Sequence, residues 1–334
     1  MNYYSKEITF DGQLGKIYNN AQLMGKIDLP TRIPTSFRFI ASISTFDYYK
    51  KDKLFSKNDK PSFNSKDERF VKLMVALPFL ANKRAEFSLG YGQLEDNYFQ
   101  SSVIDFDKDR SDRSTYKLLG GSIGFYGSTL NTRQYATKGY LEKLIAQVFT
   151  GRERFEPGNP QEGYSPSPQE RQSWLQISYM KEAYHTMGPK FTLGWMAEAL
   201  YSSKNFSENY TATMMQAGEF APTPHSKLMY NEAFRANQYV AAGIKPIYVL
   251  NDMFQFRTEF YGFTPIFPIK KNALNKAYYG KAFSRFEYMG EVSVICHLPF
   301  GAISAYVNHY SSPRREWNVG MTIGWQLFNY RFVE

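Results

Sequence analysis

The chain has 334 residues, 17% of them aromatic, with a formal net charge of +9 and a mean hydropathy of −0.47. No run approaches 18 consecutive apolar residues, which excludes a membrane-spanning helix but not a membrane-spanning barrel. The lone Cys296 excludes a disulfide framework and a Cys-based zinc site, and Lys and Arg are spread along the chain with no nucleic-acid motif, so the positive balance does not point to a nucleic-acid partner.

In chain order, the start at Met1-Asn2-Tyr3-Tyr4 carries no basic segment followed by an apolar one, so no secretion signal is visible. Period-two alternation then begins. Phe37, Phe39, Ala41 and Ile43 oppose Arg38, Ser42 and Ser44; Val71, Leu73, Val75 and Leu77 oppose Lys72, Met74 and Ala76. A strand is predicted from about Thr115 to Ser128. Within it, Gly120-Gly121-Ser122-Ile123-Gly124 spells the Gly-x-Ser-x-Gly of a nucleophile elbow. That chemistry needs a sharp strand-to-helix turn, and no helix follows, so Ser122 is read as a strand residue and the small side chains as room for a lumenal element.

Further on, Phe191, Leu193, Trp195, Ala197, Ala199 and Tyr201 oppose Thr192, Gly194 and Glu198. Phe254, Phe256, Thr258 and Phe260 oppose Gln255, Arg257, Glu259 and Tyr261, and Val292, Val294 and Cys296 oppose Glu291, Ser293 and His297. The last predicted strand places Val319, Met321, Ile323, Trp325 and Leu327 against Asn318, Gly320, Thr322, Gly324 and Gln326. Many runs reach the roughly 9–11 residues that cross a bilayer at a tilt, against about 5–6 in soluble sheets.

The links alternate in length. Short ones lie at Pro30–Pro34, Pro78–Lys83, Leu130–Lys138, Thr186–Pro189, Asn251–Asp252 and Pro299–Gly301. Long polar ones lie at Lys50–Asn64, Asn97–Ser114, Gly151–Glu170, Ser207–Glu232 and Phe267–Phe283. Tight periplasmic turns and long surface loops alternate in this way in outer-membrane barrels. The reading is an all-β, antiparallel transmembrane β-barrel of about 14 visible strands, a single domain over 1–334, with its C-terminus periplasmic and its long loops extracellular. The four histidines, His185, His225, His297 and His309, show no metal-ligand spacing; no metal or cofactor is expected, and Pro222, Pro224 and His225 are read as surface structure.

Specific strings carry a family resemblance. Thr129-Leu130-Asn131-Thr132-Arg133-Gln134-Tyr135-Ala136-Thr137-Lys138-Gly139 resembles the periplasmic turn of the BamA/TamA-like surface antigen barrels, with Ala136 in place of the usual Pro. The ending Gly324 to Glu334 is similar to the C-terminus of the barrel attached to patatin-like phospholipases of Bacteroidetes, and Asp47 to Lys50, Tyr210 to Ala212 and Phe234 to Tyr239 share that character. The resemblance implies a barrel of about 16 strands, here lacking its first strands and the upstream patatin and POTRA-type domains. It implies a barrel that anchors or exports an attached lipase and is not itself catalytic; the alternatives are a BamA/TamA-type assembly factor or a passive pore.

The same resemblance suggests two constellations. Asn318, Gly320, Ile323 and Trp325 fit the terminal-strand signal read by the outer-membrane assembly machinery, although six residues follow Phe328. Arg235, in Phe234-Arg235-Ala236, corresponds to a loop Arg that reaches into the lumen to pair with an inward-facing acid, for which Glu259 is the candidate. Ala236 stands where Gly is expected, and Arg257 competes for Glu259. The partners expected are outer-membrane lipid, the assembly machinery and an upstream lipase domain.

Overall fold

A computed structural model describes residues 5–15, 17–48, 64–100, 110–159, 171–299, 301–312, 317–324 and 330–333. The strands, in order, are β1 (Ser5–Gln13), β2 (Tyr18–Leu29), β3 (Thr35–Tyr48), β4 (Asn64–Leu80), β5 (Lys83–Tyr98), β6 (Asp112–Ser128), β7 (Gly139–Glu156), β8 (Arg171–Thr186) and β9 (Phe191–Ser202). A short helix, α1 (Tyr210–Gln216), and an antiparallel pair of two-residue strands, β10 (Gly218–Glu219) with β11 (Arg235–Ala236), lie in the next connection. Then come β12 (Gln238–Val249), β13 (Phe254–Pro265), the small pair β14 (Ile269–Lys271) and β15 (Ala277–Tyr279), and β16 (Glu287–Leu298), β17 (Gly301–Tyr310) and β18 (Trp317–Ile323).

All strands except β10, β11, β14 and β15 form one 14-stranded antiparallel sheet in which each pairs with its neighbours in the order just given. The six predicted short links fall between successive strands at one end of this sheet. The predicted link at 50–64 lies almost wholly outside the described residues, as do parts of those at 97–114 and 151–170. The flanking strands β5, β6 and β7 run several residues further into these links than the sequence suggested.

Alternation sorts the side chains into two faces. On β4 to β8, register rows of outward residues such as Leu73, Leu89, Gly121, Val148 and Leu175 follow one another, and Leu73, Leu89 and Val148 are well exposed. The opposite face buries Lys72, Glu86, Gln147, Lys245, Arg257, Glu259 and Glu291 together with many aromatics. A greasy exterior over a polar interior is the reverse of a soluble fold and matches a wall set in hydrocarbon. Curling of the sheet is evident from one segment: residues 203–237 touch Tyr98 of β5 through Asn209, Tyr48 of β3 through Tyr230, and Ser304 of β17 through His225. Among the described residues no ladder joins β1 to β18, so both remain edge strands.

Candidate functional site

Three segments fill the lumen. The first is 203–237, between β9 and β12. Asn209 caps α1, its side chain accepting from the Ala212 amide at 2.8 Å, and Ala212 to Met215 are buried. Hydrogen bonds tie the segment to β5 and β6: Asn209 donates to the Tyr98 hydroxyl (2.7 Å), Gln216 to Asp96 (2.5 Å), and the Ser207 and Tyr116 hydroxyls meet at 2.8 Å. On the other side Phe220 stacks on Phe263, and Phe234 meets the edge of Tyr310, so aromatic packing holds what the hydrogen bonds orient.

Arg235 lies at the centre of this segment. Its guanidinium bonds Glu219 at 2.9 Å, directly opposite in the β10–β11 register, and donates to the carbonyls of Met214, Met215 and Ala217 at 3.3–3.5 Å. It thereby caps the C-terminal carbonyls of α1, where a cation is favoured by the helix dipole. The expected partnership with Glu259 does not form. The Glu259 carboxylate is held by Arg257 at 2.9 Å and by the Tyr261 hydroxyl at 2.7 Å. Arg257 is on the same face of the same strand, two residues away, and needs no loop to reach Glu259. The lock on Arg235 therefore closes within the loop.

His225 is also corrected: it is 1% exposed and not a surface residue. Its ring stacks on Tyr306 with centroids 3.7 Å apart, Nδ1 lies 2.8 Å from Glu291 Oε1 and Nε2 lies 2.9 Å from Ser304 Oγ. Thr223 adds a hydroxyl to Glu291 at 3.0 Å. The trio has the spacing of a Ser-His-acid triad. Ser304, however, is 1% exposed, and its hydroxyl also meets Thr322 at 2.6 Å and Tyr135 at 3.2 Å. The network joins the loop to β16, β17 and β18 as a satisfied buried cluster.

The second segment is the turn between β6 and β7, which sequence resemblance had singled out. Asn131 Oδ1 accepts from the amides of Thr137 (3.0 Å) and Lys138 (3.1 Å), folding the turn inward. Gly139 takes φ +89°, where a Cβ would lie 2.1 Å from the Thr129 carbonyl oxygen. Tyr135 thus reaches the lumen, and the carbonyls of Tyr135 and Ala136 accept from Gln255 and Arg257 at 3.2 and 3.0 Å.

The third segment, the tail, was not foreseen. β18 is described to Ile323, and Gly324 turns with φ +99°; Trp325 and Leu327 of the predicted strand lie outside the described residues. Tyr330 to Val333 lie in the lumen. Phe332 is 2% exposed; its amide donates to Glu68 at 2.6 Å, and Lys72 donates to the Arg331 carbonyl at 2.8 Å. Of the other terminal-strand residues, Asn318 donates to Asn308 at 2.9 Å, Ile323 points outward, and Gly320 makes room for Tyr306, whose hydroxyl would sit 2.4 Å from a Cβ there. Ser122 is in mid-strand β6, its hydroxyl 2.6 Å from that of Ser88. Nearby, Gly120 leaves space for Phe149 and Phe332, the lumenal approach its size suggested.

Lys204 provides a test of docking. Its ammonium sits 4.5 and 4.9 Å from the ring centroids of Tyr116 and Trp174 and donates to Gln216 at 3.0 Å. Burial pushes its pKa from 10.5 down to about 8, against the pull of Glu153 and Asp96. Between those values the undocked segment holds a proton that the docked one does not, so docking should strengthen as pH rises through that window; below about 8 the full penalty persists. Limited proteolysis of 203–237 should slow from pH 8 toward 10 in the native chain but not in Lys204→Met, and a flat native profile would refute this.

No family model matches the sequence, and no curated protein resembles it in sequence. Solved structures do resemble it in fold. BamA from Haemophilus ducreyi lacking POTRA domains 1–3 superposes with a TM-score of 0.61 at 11% identity, over 96% of this chain and 64% of that one. CdiB from Acinetobacter baumannii gives 0.46 at 8% identity, over 96% and 65%. The translocator domain of autotransporter NalP from Neisseria meningitidis gives 0.33 at 8%, over 88% and 86%. The chain therefore spans less than two thirds of the BamA chain it matches, and what the likeness shows is the fold, that of an outer-membrane-type β-barrel.

Proposed function

We propose that the chain is an outer-membrane anchor with an occupied lumen, holding an attached patatin-like lipase domain at the membrane while the hydrolysis is carried elsewhere. The observation that carries the anchor over the pore is the lumen content: 203–237, the Tyr135 turn and the Phe332 tail are all bonded to inward-facing strand residues. The lipase attachment is supported by the resemblance of the ending Gly324 to Glu334. Two serines support a non-catalytic role for this segment, Ser122 by its mid-strand position and Ser304 by its burial. In this reading the short turns face the periplasm and the long loops the exterior.

A second reading, an assembly factor that inserts other barrels, is favoured by the edges of β1 and β18, which find no ladder partner among the described residues. Two measurements separate the readings. In a planar bilayer the anchor should pass no steady current, and deletion of residues 206–234 should open stepwise conductance; steady conductance from the native chain would defeat the anchor. In vesicles the native chain should leave the folding rate of a second barrel protein unchanged, whereas acceleration would favour the assembly factor.

A further inference from the structure

On the outer wall, one register row runs across five adjacent strands: Arg69 on β4, Gln93 on β5, Lys117 on β6, Arg152 on β7 and Arg171 on β8. At about 4.8 Å per strand the row is about 19 Å long. Lys117, Arg152 and Arg171 are directly opposite one another, an arrangement that repels in an isolated sheet. One row toward the short turns lie Val71, Tyr91, Leu119, Thr150 and Ser173, and beyond them the apolar band. The cations therefore border the hydrocarbon where headgroups would lie.

The outer-wall carboxylates nearest this row lie on its far side, and Glu142, toward the short turns, is paired with Lys83 and Lys181. Arg113 pairs with Glu95 at 3.3 Å, and Arg154 with Glu156 at 2.7 Å. Among the described residues Arg171 donates to the Thr150 hydroxyl, at 3.0 Å. Among the described residues Arg69, Lys117 and Arg152 have no ion pair and no side-chain hydrogen bond, although all are exposed. A depression of about 240 Å³ opens between Gln93, Lys117, Arg152 and Arg154, with Glu156, paired to Arg154, also on its lining. A single interfacial cation is explained by snorkelling toward water. Four in one row, with the neighbouring acids Glu95 and Glu156 paired to Arg113 and Arg154 instead, call for an external polyanion, and guanidinium groups match phosphate in geometry.

We infer that this row is a binding site for the headgroup of a lipid carrying more than one phosphate, a bis-phosphorylated glycolipid whose acyl chains lie along the band at Leu119 and Val148. A lipid is favoured over a soluble anion because the cations and the apolar band are continuous. The inference rests on the barrel reading and adds a ligand to it.

The test uses the full chain and vesicles of phosphatidylcholine alone, with phosphatidylglycerol, or with bis-phosphorylated lipid A at matched total charge. After extraction in mild detergent, retained lipid is measured by native mass spectrometry. Lipid A should be retained at least about tenfold over phosphatidylglycerol, the worth of one charge-assisted bond. The double variant Lys117→Gln with Arg152→Gln should lose that preference. Lys83→Gln with Lys181→Gln, which removes two cations paired with Glu142 at the short-turn end of the wall, should keep it. Equal retention of the two lipids, an unchanged Lys117/Arg152 variant, or full displacement by inorganic pyrophosphate would overturn the site while leaving the barrel intact. Failure to insert into phosphatidylcholine vesicles would overturn the barrel reading and the site with it.

Discussion

Arg235→Ala should release residues 203–237 from the lumen. The substitution removes the partner of Glu219, leaves the carbonyls of Met214, Met215 and Ala217 without their donor, and vacates the contact with the Tyr230 ring, 4.7 Å from the guanidinium carbon. Breaking one side of a buried ion pair costs about 3–5 kcal/mol because the other charge stays buried and unpaired. The barrel wall does not depend on this pair, so the loss should appear in the loop: rapid proteolysis within 203–237 and intermittent conductance, with the β-sheet circular dichroism retained. Glu259→Gln is the informative control. If it freed the loop as Arg235→Ala does, Glu259 rather than Glu219 would be the partner and the assignment would fail. Arg235→Met with Glu219→Leu should recover part of the loss, since an apolar pair of similar volume carries no stranded charge.

Phe332→Ala should produce the largest loss of stability in the sheet itself. The ring lies against Phe70 and Phe149, with centroids 5.9 and 5.8 Å away, and over Gly90, Gly92 and Gly120. Emptying such a site costs about 3–5 kcal/mol, part of it from the cavity left behind. Gly92→Ala attacks the same fit from the wall. Its new methyl would come within 2.9 Å of the ring, an overpacking worth about 1–3 kcal/mol. The two changes share one space, so the double variant should be less destabilised than their sum. Urea midpoints of the detergent-folded chain would measure all three. An unchanged midpoint for Phe332→Ala would mean that the tail is not seated among β4 to β7, and strict additivity would mean that Gly92 and Phe332 do not touch.

How much of this was legible differs by residue. The turn at 129–139 could be read because its requirements are local: Asn131 bonds amides six and seven residues on, and Gly139 alone tolerates its φ. Arg235 was marked as a lumenal lock, yet several inward carboxylates were compatible with it, Glu182, Glu198, Glu219, Glu259 and Glu291 among them. Only the β10–β11 register sets Glu219 opposite. His225 carried no signal at all, since its two partners come from β16 and β17, more than 60 residues away.

The basic row follows the same division. Arg69, Lys117, Arg152 and Arg171 are scattered in sequence, and the pairing of β4 to β8 lines them up. By itself, the sequence determined the strands, their inward and outward faces and the alternation of their links. A wall between lipid and a polar lumen imposes a choice at every residue, and that choice has a period of two. What fills the lumen was decided only by the tertiary structure. Curling of the sheet brings β3 and β17 to opposite sides of one loop and carries Phe332 to glycines some 240 residues earlier. Contacts made across a curved wall leave no period along the chain.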